Sequence, residues 1–215
     1  MKIKTFLIVL IILFMSASCQ TKAQTYTIET TLGNVKIKLY ENTPLHNANF
    51  EKLVEEQSYE GVLFHRVIQN FMIQGGDLST KNFVSNGETD EVEETIPAEF
   101  VPENFHKKGA LAAARTGDFV NPEKRSSPTQ FYIVQGKPYT EEELAYMEDV
   151  RGKQWTPEQK ETYRTLGGTP FLDMDYTVFG EVVEGLDVVD AIAAVPTLPG
   201  DRPVSDVRII RITKD

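Results

Sequence analysis

The stretch Phe64-His65-Arg66-Val67-Ile68-Gln69-Asn70-Phe71-Met72-Ile73-Gln74-Gly75-Gly76-Asp77 sets an arginine and a glutamine among large apolar side chains. A guanidinium in apolar surroundings is costly unless something requires it, so the run reads as a site and not simply as core. Its pieces Leu63 to Ile68 and Phe71 to Gln74 have the texture of short β-strands. Gly75-Gly76 reads as a turn, because no Lys-Ser/Thr pair follows that would make it a phosphate loop. His65 is expected to be structural: neighbours along a strand face opposite sides of a sheet.

Upstream of this run, Tyr26 to Leu32 and Val35 to Tyr40 each alternate with period two around the turn pair Gly33-Asn34, which predicts a hairpin with one wet face. Thr43 then stands as N-cap and Pro44 at the first helical position, with Leu45, Ala48, Phe50, Leu53 and Val54 near helical spacing up to Gln57. Downstream, β-like runs recur at Ala110 to Ala114, Gln130 to Gln135, Thr177 to Val183 and Val207 to Thr213, and Glu184 to Ala194 reads as a second amphipathic helix. Many short strands with two helices predict a mainly β fold, a closed barrel plugged at its ends.

One segment departs from that pattern. Between Lys137 and Gly168, Thr140-Glu141-Glu142-Glu143 opens a helix reaching about Arg151, and Thr156-Pro157-Glu158-Gln159 opens another that Gly167-Gly168 ends. This is a helical hairpin inserted between two strands. Its place in the chain predicts that it overhangs whatever site those strands carry, narrowing substrate choice or docking a partner.

The chain has 215 residues, with 22 Lys and Arg against 32 Asp and Glu and a net charge of −10. That acidity lacks the electrostatic footprint for gripping phosphate backbones, so nucleic acid is not an expected partner. A single cysteine and the widely spaced His46, His65 and His106 give neither a disulfide nor a metal site. His46 and His106 are expected at the surface or in local packing. No Ser/His/Asp or Cys/His grouping appears at recognisable spacing, which argues against a hydrolase.

Residues 1–18 read as an export signal: basic Lys2 and Lys4, an apolar run from Phe6 to Met15, then Ser16-Ala17-Ser18 before Cys19. The run is shorter than the ~20 residues of a membrane-spanning helix. Small residues ahead of a cysteine resemble a bacterial lipobox, which makes Cys19 the expected lipidation site and residues 19–25 a lipidated tether. Ordinary signal cleavage nearby is the alternative. Gln20 after Cys19 is not the Asp that retains some lipoproteins at the inner membrane, so the expected location is the periplasmic side of the outer membrane.

The opening stretch closely resembles the signature of the cyclophilins, peptidyl-prolyl isomerases built on an eight-stranded barrel. Gly109 to Arg115, Ser127 to Ile133, Phe171-Leu172-Asp173 and Val178-Phe179-Gly180 match further pieces in the same order, so the resemblance covers Tyr26 to the C-terminus apart from the insertion. It implies a domain over residues 26–215, a closed eight-stranded β-barrel with two flanking α-helices and an inserted helical hairpin at 137–168.

The resemblance also implies roles. Arg66 matches the catalytic arginine, and Phe71, Met72, Tyr132 and Leu172 match the pocket for the substrate proline ring. Gln74 and Gln130 match the polar pair beside the arginine, with Gln74 expected to orient it; Ala114 and Arg115 match the stretch that binds substrate backbone. Phe171 stands where many members carry tryptophan, Tyr176 where histidine is common, and Tyr132 where phenylalanine is usual. The implied substrates are proline-containing polypeptides, with no cofactor, no metal and a monomeric chain. The chemistry needs little more: X-Pro rotation faces a barrier of ~18–20 kcal/mol because the C–N bond is partly double, and no bond is made or broken. A non-catalytic module holding proline segments on the same barrel is the other reading; Arg66, Phe71, Gln74 and Gln130 together favour the enzyme.

Overall fold

The computed structural model of the chain describes residues 24–81 and 94–215. The expected signal at 1–18, Cys19 with most of its tether, and residues 82–93 lie outside the described residues. Eight strands, β1 (Thr25–Thr30), β2 (Gly33–Leu39), β3 (Arg66–Ile68), β4 (Met72–Gly75), β5 (Ala110–Ala113), β6 (Phe131–Val134), β7 (Val178–Glu184) and β8 (Ile209–Lys214), make one antiparallel sheet in the order β3-β4-β6-β5-β7-β2-β1-β8. The sheet curls until its ends meet. Leu63 bridges Arg208, the Phe64 N–H donates to Val207 O at 2.9 Å, and the Ile209 N–H donates to Val62 O at 2.8 Å. The barrel is thus sealed by a short bridge beside its edge strands, not by a full ladder.

Period-two alternation sorts the side chains into two cores. Ile28, Ile37, Val67, Ile73, Leu111, Phe131 and Ile133 fill the inside. The alternate positions, Met72, Ala110, Ala112, Tyr132, Val134 and Val178, form a second apolar cluster on the outer face. Helix α1 (Pro44–Glu55) sends Phe50 into an aromatic group, 5.5 Å from Tyr26, 5.6 Å from Tyr59 and 5.8 Å from Phe179 between ring centroids. Burying one such ring contributes roughly 1.5–3 kcal/mol. The flanking helix α4 (Leu186–Ala193) buries Val189, Ile192 and Ala193.

Three local expectations are corrected. The hairpin turn sits at Thr31-Leu32, not Gly33-Asn34: Thr30 pairs with Gly33, and the Thr30 hydroxyl both donates to Gly33 O at 2.7 Å and accepts from the Leu32 N–H at 3.1 Å. Gly33 is needed there for its φ of +136°, and a Cβ would stand 2.8 Å from Val188 of α4. Thr43 is the N-cap residue of α1 but makes no side-chain cap; the Glu99 carboxylate instead accepts from the Leu45 and His46 N–H groups, each at 3.0 Å. Leu45 is half exposed and His46 takes the buried place on that helix face.

The insertion folds as two helices, α2 (Glu141–Arg151) and α3 (Pro157–Thr165), each opened by a reciprocal capping box, Thr140 with Glu143 and Thr156 with Gln159. It has its own small core of Leu144, Trp155 and Tyr163, against which Phe105, Tyr139 and Met147 pack.

Candidate active site

On the outer face, antiparallel register places Arg66 opposite Gln74, Gln74 opposite Tyr132, and Tyr132 opposite Ala112. One row thus crosses four strands from cation to amide to phenol to methyl. Beside this row, Ala114 just past the end of β5 is the small residue in the wall of a hollow that larger side chains enclose. A pocket of about 90 Å³ is lined by Arg66, Phe71, Met72, Gln74, Ala114, Arg115, Tyr132, Leu172 and Tyr176. Met72 and Tyr132 are buried, whereas the Arg66 side chain is 43% exposed at the pocket edge.

Two residues expected at the site stand just behind the lining. Gln130 accepts a hydrogen bond from Gln74 Nε2 at 3.1 Å. Phe171 stacks on Phe71 with ring centroids 5.7 Å apart, and the Arg151 guanidinium lies 5.8 Å from its ring. The Gln74 amide is therefore turned to Gln130, and the group that contacts the guanidinium is one the sequence reading missed: Asp201 Oδ2, 3.4 Å from Arg66 Nε.

Ala114 offers the pocket its methyl, because its N–H donates to Gln130 O at 2.9 Å and its carbonyl accepts from the Ser127 N–H at 2.8 Å. The Arg115 guanidinium is engaged with its own loops: Nε donates to Asp175 O at 2.7 Å, Nη1 donates to Thr116 O at 2.9 Å and meets Asp118 at 2.6 Å, and the group lies 4.5 Å from the Tyr176 ring. The segment carrying Leu172 and Tyr176 is clamped further by Lys124 and Lys153 on the Asp175 carboxylate. Burial pushes that carboxyl up, but the two ammonium groups outweigh it and hold Asp175 below its usual range. Burial pushes the Tyr132 phenol well above its usual range, so it is a neutral hydroxyl at physiological pH.

None of the insertion's residues lines the wall of this pocket. The insertion grips the adjacent segment instead, Arg151 and Lys153 donating to Phe171 O at 3.2 and 3.3 Å.

Of the two placements expected for His46 and His106, surface or local packing, the structure shows the second, since both are buried. His46 Nδ1 lies 2.6 Å from Glu99 Oε2 and Nε2 lies 2.9 Å from Ser126 Oγ. This row has the order of a hydrolase triad, yet Ser126 is only 1% exposed and offers no nucleophile to a substrate. His65 is half-buried with Nδ1 unpaired, and burial lowers its pKa. Among the described residues no group of three or more His, Cys, Asp or Glu is placed to hold a metal.

Comparison with known proteins agrees with this architecture. A Staphylococcus saprophyticus protein named as a peptidyl-prolyl cis-trans isomerase is 34% identical over 183 residues, covering 85% of this chain and 87% of its own length. A Streptococcus pyogenes protein named as a bifunctional phosphatase/peptidyl-prolyl cis-trans isomerase is 37% identical over 188 residues, although this chain spans only 37% of it. The crystal structure of a Cryptosporidium parvum cyclophilin type peptidyl-prolyl cis-trans isomerase shares the fold, with a TM-score of 0.66 at 21% identity over 90% of this chain and 98% of that one. The family model for cyclophilin type peptidyl-prolyl cis-trans isomerases matches residues 25–214, and the chain belongs to that family.

Proposed function

We propose that this chain catalyses cis-trans rotation of X-Pro bonds in exported polypeptides, with Arg66 as the catalytic residue and the outer-face pocket as the proline site. The observation that carries the reading is the guanidinium of Arg66 at the edge of an apolar pocket in the same strand row as Gln74 and Tyr132. A prolyl ring seated among Phe71, Met72, Tyr132 and Leu172 is held still, which leaves rotation of the preceding carbonyl as the remaining freedom. As the amide twists, resonance is lost and the prolyl nitrogen regains a lone pair that the Arg66 guanidinium hydrogen-bonds. That donor meets its acceptor only in the twisted state, which is the condition for raising turnover.

A protease-coupled or NMR-exchange assay on an Ala-X-Pro-Phe peptide tests this with residues 20–215 and the Arg66→Ala variant. Turnover in the parent and a loss on the order of 10²–10³ in the variant support the reading. A folded but inactive parent overturns it and leaves a proline-binding module. The envelope location rests on the basic start, the short apolar run and the small residues before Cys19. Mass spectrometry of the membrane fraction tests it: acylated Cys19 is expected, and a Cys19→Ser chain remaining equally membrane-bound sinks the anchor.

A further inference from the structure

Behind the pocket wall, five side chains, Tyr132, His106, Asp173, Trp155 and Tyr163, form one buried hydrogen-bonded network. The Tyr132 hydroxyl lies 2.9 Å from His106 Nε2, and His106 Nδ1 lies 2.8 Å from Asp173 Oδ1. Asp173 Oδ2 accepts from Trp155 Nε1 at 2.7 Å and from the Tyr163 hydroxyl at 2.6 Å, while Oδ1 also accepts from the His106 backbone N–H at 2.8 Å. His106 and Asp173 are 0% and 6% exposed.

An ionised carboxylate only accepts and has about four lone-pair sites, so these four donors saturate Asp173 and put the His106 proton on Nδ1. In that Nδ1–H tautomer Nε2 accepts from the Tyr132 hydroxyl. The phenol is turned toward the protein, and its ring stacks on His106 at 6.1 Å with a 15° interplanar angle. The row joins a pocket residue to two residues of the insertion.

We propose that His106 and Asp173 are positioning residues for Tyr132, and that the insertion shapes the proline pocket through Trp155 and Tyr163 without touching substrate. The inference rests on the isomerase reading above. It accounts for a hydroxyl on the pocket ring: the group is an anchor. It also accounts for a helical pair that lines no part of the site yet supplies two of the four donors to Asp173.

The test is a double-mutant cycle in the full chain, reading KM and kcat for a prolyl peptide together with the Kd of an Ala-Pro peptide. Trp155→Phe and Tyr163→Phe each delete one donor and keep an aromatic ring in place. Each is expected to raise KM and Kd about three- to tenfold, the yield of one lost hydrogen bond, with kcat little changed. In a Tyr132→Phe background the link is already cut, and the same substitutions should then matter by less than about twofold. A merely loosened fold would lower the active fraction, and so kcat, equally in both backgrounds. Unchanged KM and Kd in both single variants, or identical effects in the two backgrounds, overturns the proposal. Should a variant fail to fold, the ¹⁵N spectrum of His106 in the parent chain decides: a proton on Nδ1 supports the row, one on Nε2 overturns it. A parent that binds peptide without turnover defeats the isomerase reading alone, and the Kd arm still judges the network.

Discussion

Nε of Arg66 lies 3.4 Å from Oδ2 of Asp201, a residue 135 positions later in the chain. Both side chains are 43% exposed, so the pair adds only about 0–1 kcal/mol to stability. Its consequence is positional, since a single contact at Nε restrains the guanidinium from outside the pocket. Asp201→Asn is therefore expected to lower kcat/KM about three- to tenfold while shifting the unfolding midpoint little. Asn is the apt replacement because Asp201 has a φ of +66°, a conformation Asn tolerates. Steady-state kinetics and urea unfolding of the two chains check this, and unaltered kcat/KM removes Asp201 from the account.

Gly76 follows the Gln74 strand with a φ of +86°, and a Cβ there would collide with the Thr129 carbonyl and stand 2.9 Å from the Gln130 Cα. Gly76→Ala is expected to destabilise by at least about 2 kcal/mol, since neither the backbone angle nor the contact can relax cheaply. Gly117, with nothing within 4 Å of its would-be Cβ, is the control and should tolerate alanine. Thermal unfolding of both variants measures the contrast.

Glu99 satisfies three donors at once, the N–H groups of Leu45 and His46 and the ring of His46. A glutamine there keeps the shape but brings its own N–H₂ among donors. Glu99→Gln should lower the unfolding free energy by about 1–3 kcal/mol while kcat/KM stays near the parent value, since α1 lines no part of the pocket.

Burial holds His46 and His65 below the ordinary histidine value of 6.5; for His46 the bond and charge of Glu99 oppose this without cancelling it. Below pH 6.5 the unfolded chain binds protons that the folded chain refuses, so the two groups withdraw stability as pH falls through that value. Ring-proton NMR titration should give midpoints below 6.5 for both. Denaturant unfolding of a His65→Gln chain should lose less stability between neutral and mildly acidic pH than the parent, and an equal loss would exclude His65 as a source.

Much of this molecule is written locally. Alternation in Tyr26 to Tyr40, the capping boxes at Thr140 and Thr156, and the run from Phe64 to Asp77 need only near neighbours to act, because strand period, helix caps and turns are short-range physics. The paired strands that bear Arg66, Met72 and Gln74, and the turn between them that bears Phe71, were legible for the same reason. Other features join residues far apart in sequence. Glu99 displaces Thr43 as the cap of α1, Asp201 rather than Gln74 meets Arg66, and His106 and Asp173 become one buried row with Tyr132, Trp155 and Tyr163. No pattern along the chain marks such partners, because a buried polar group takes whichever complementary atom the closed barrel brings within hydrogen-bond reach. By itself the sequence determined the strands, the helices, the insertion and the apolar residues around one arginine. The tertiary structure alone decided which side chains hold that site in place, since only barrel closure and the docking of the insertion set the distances between them.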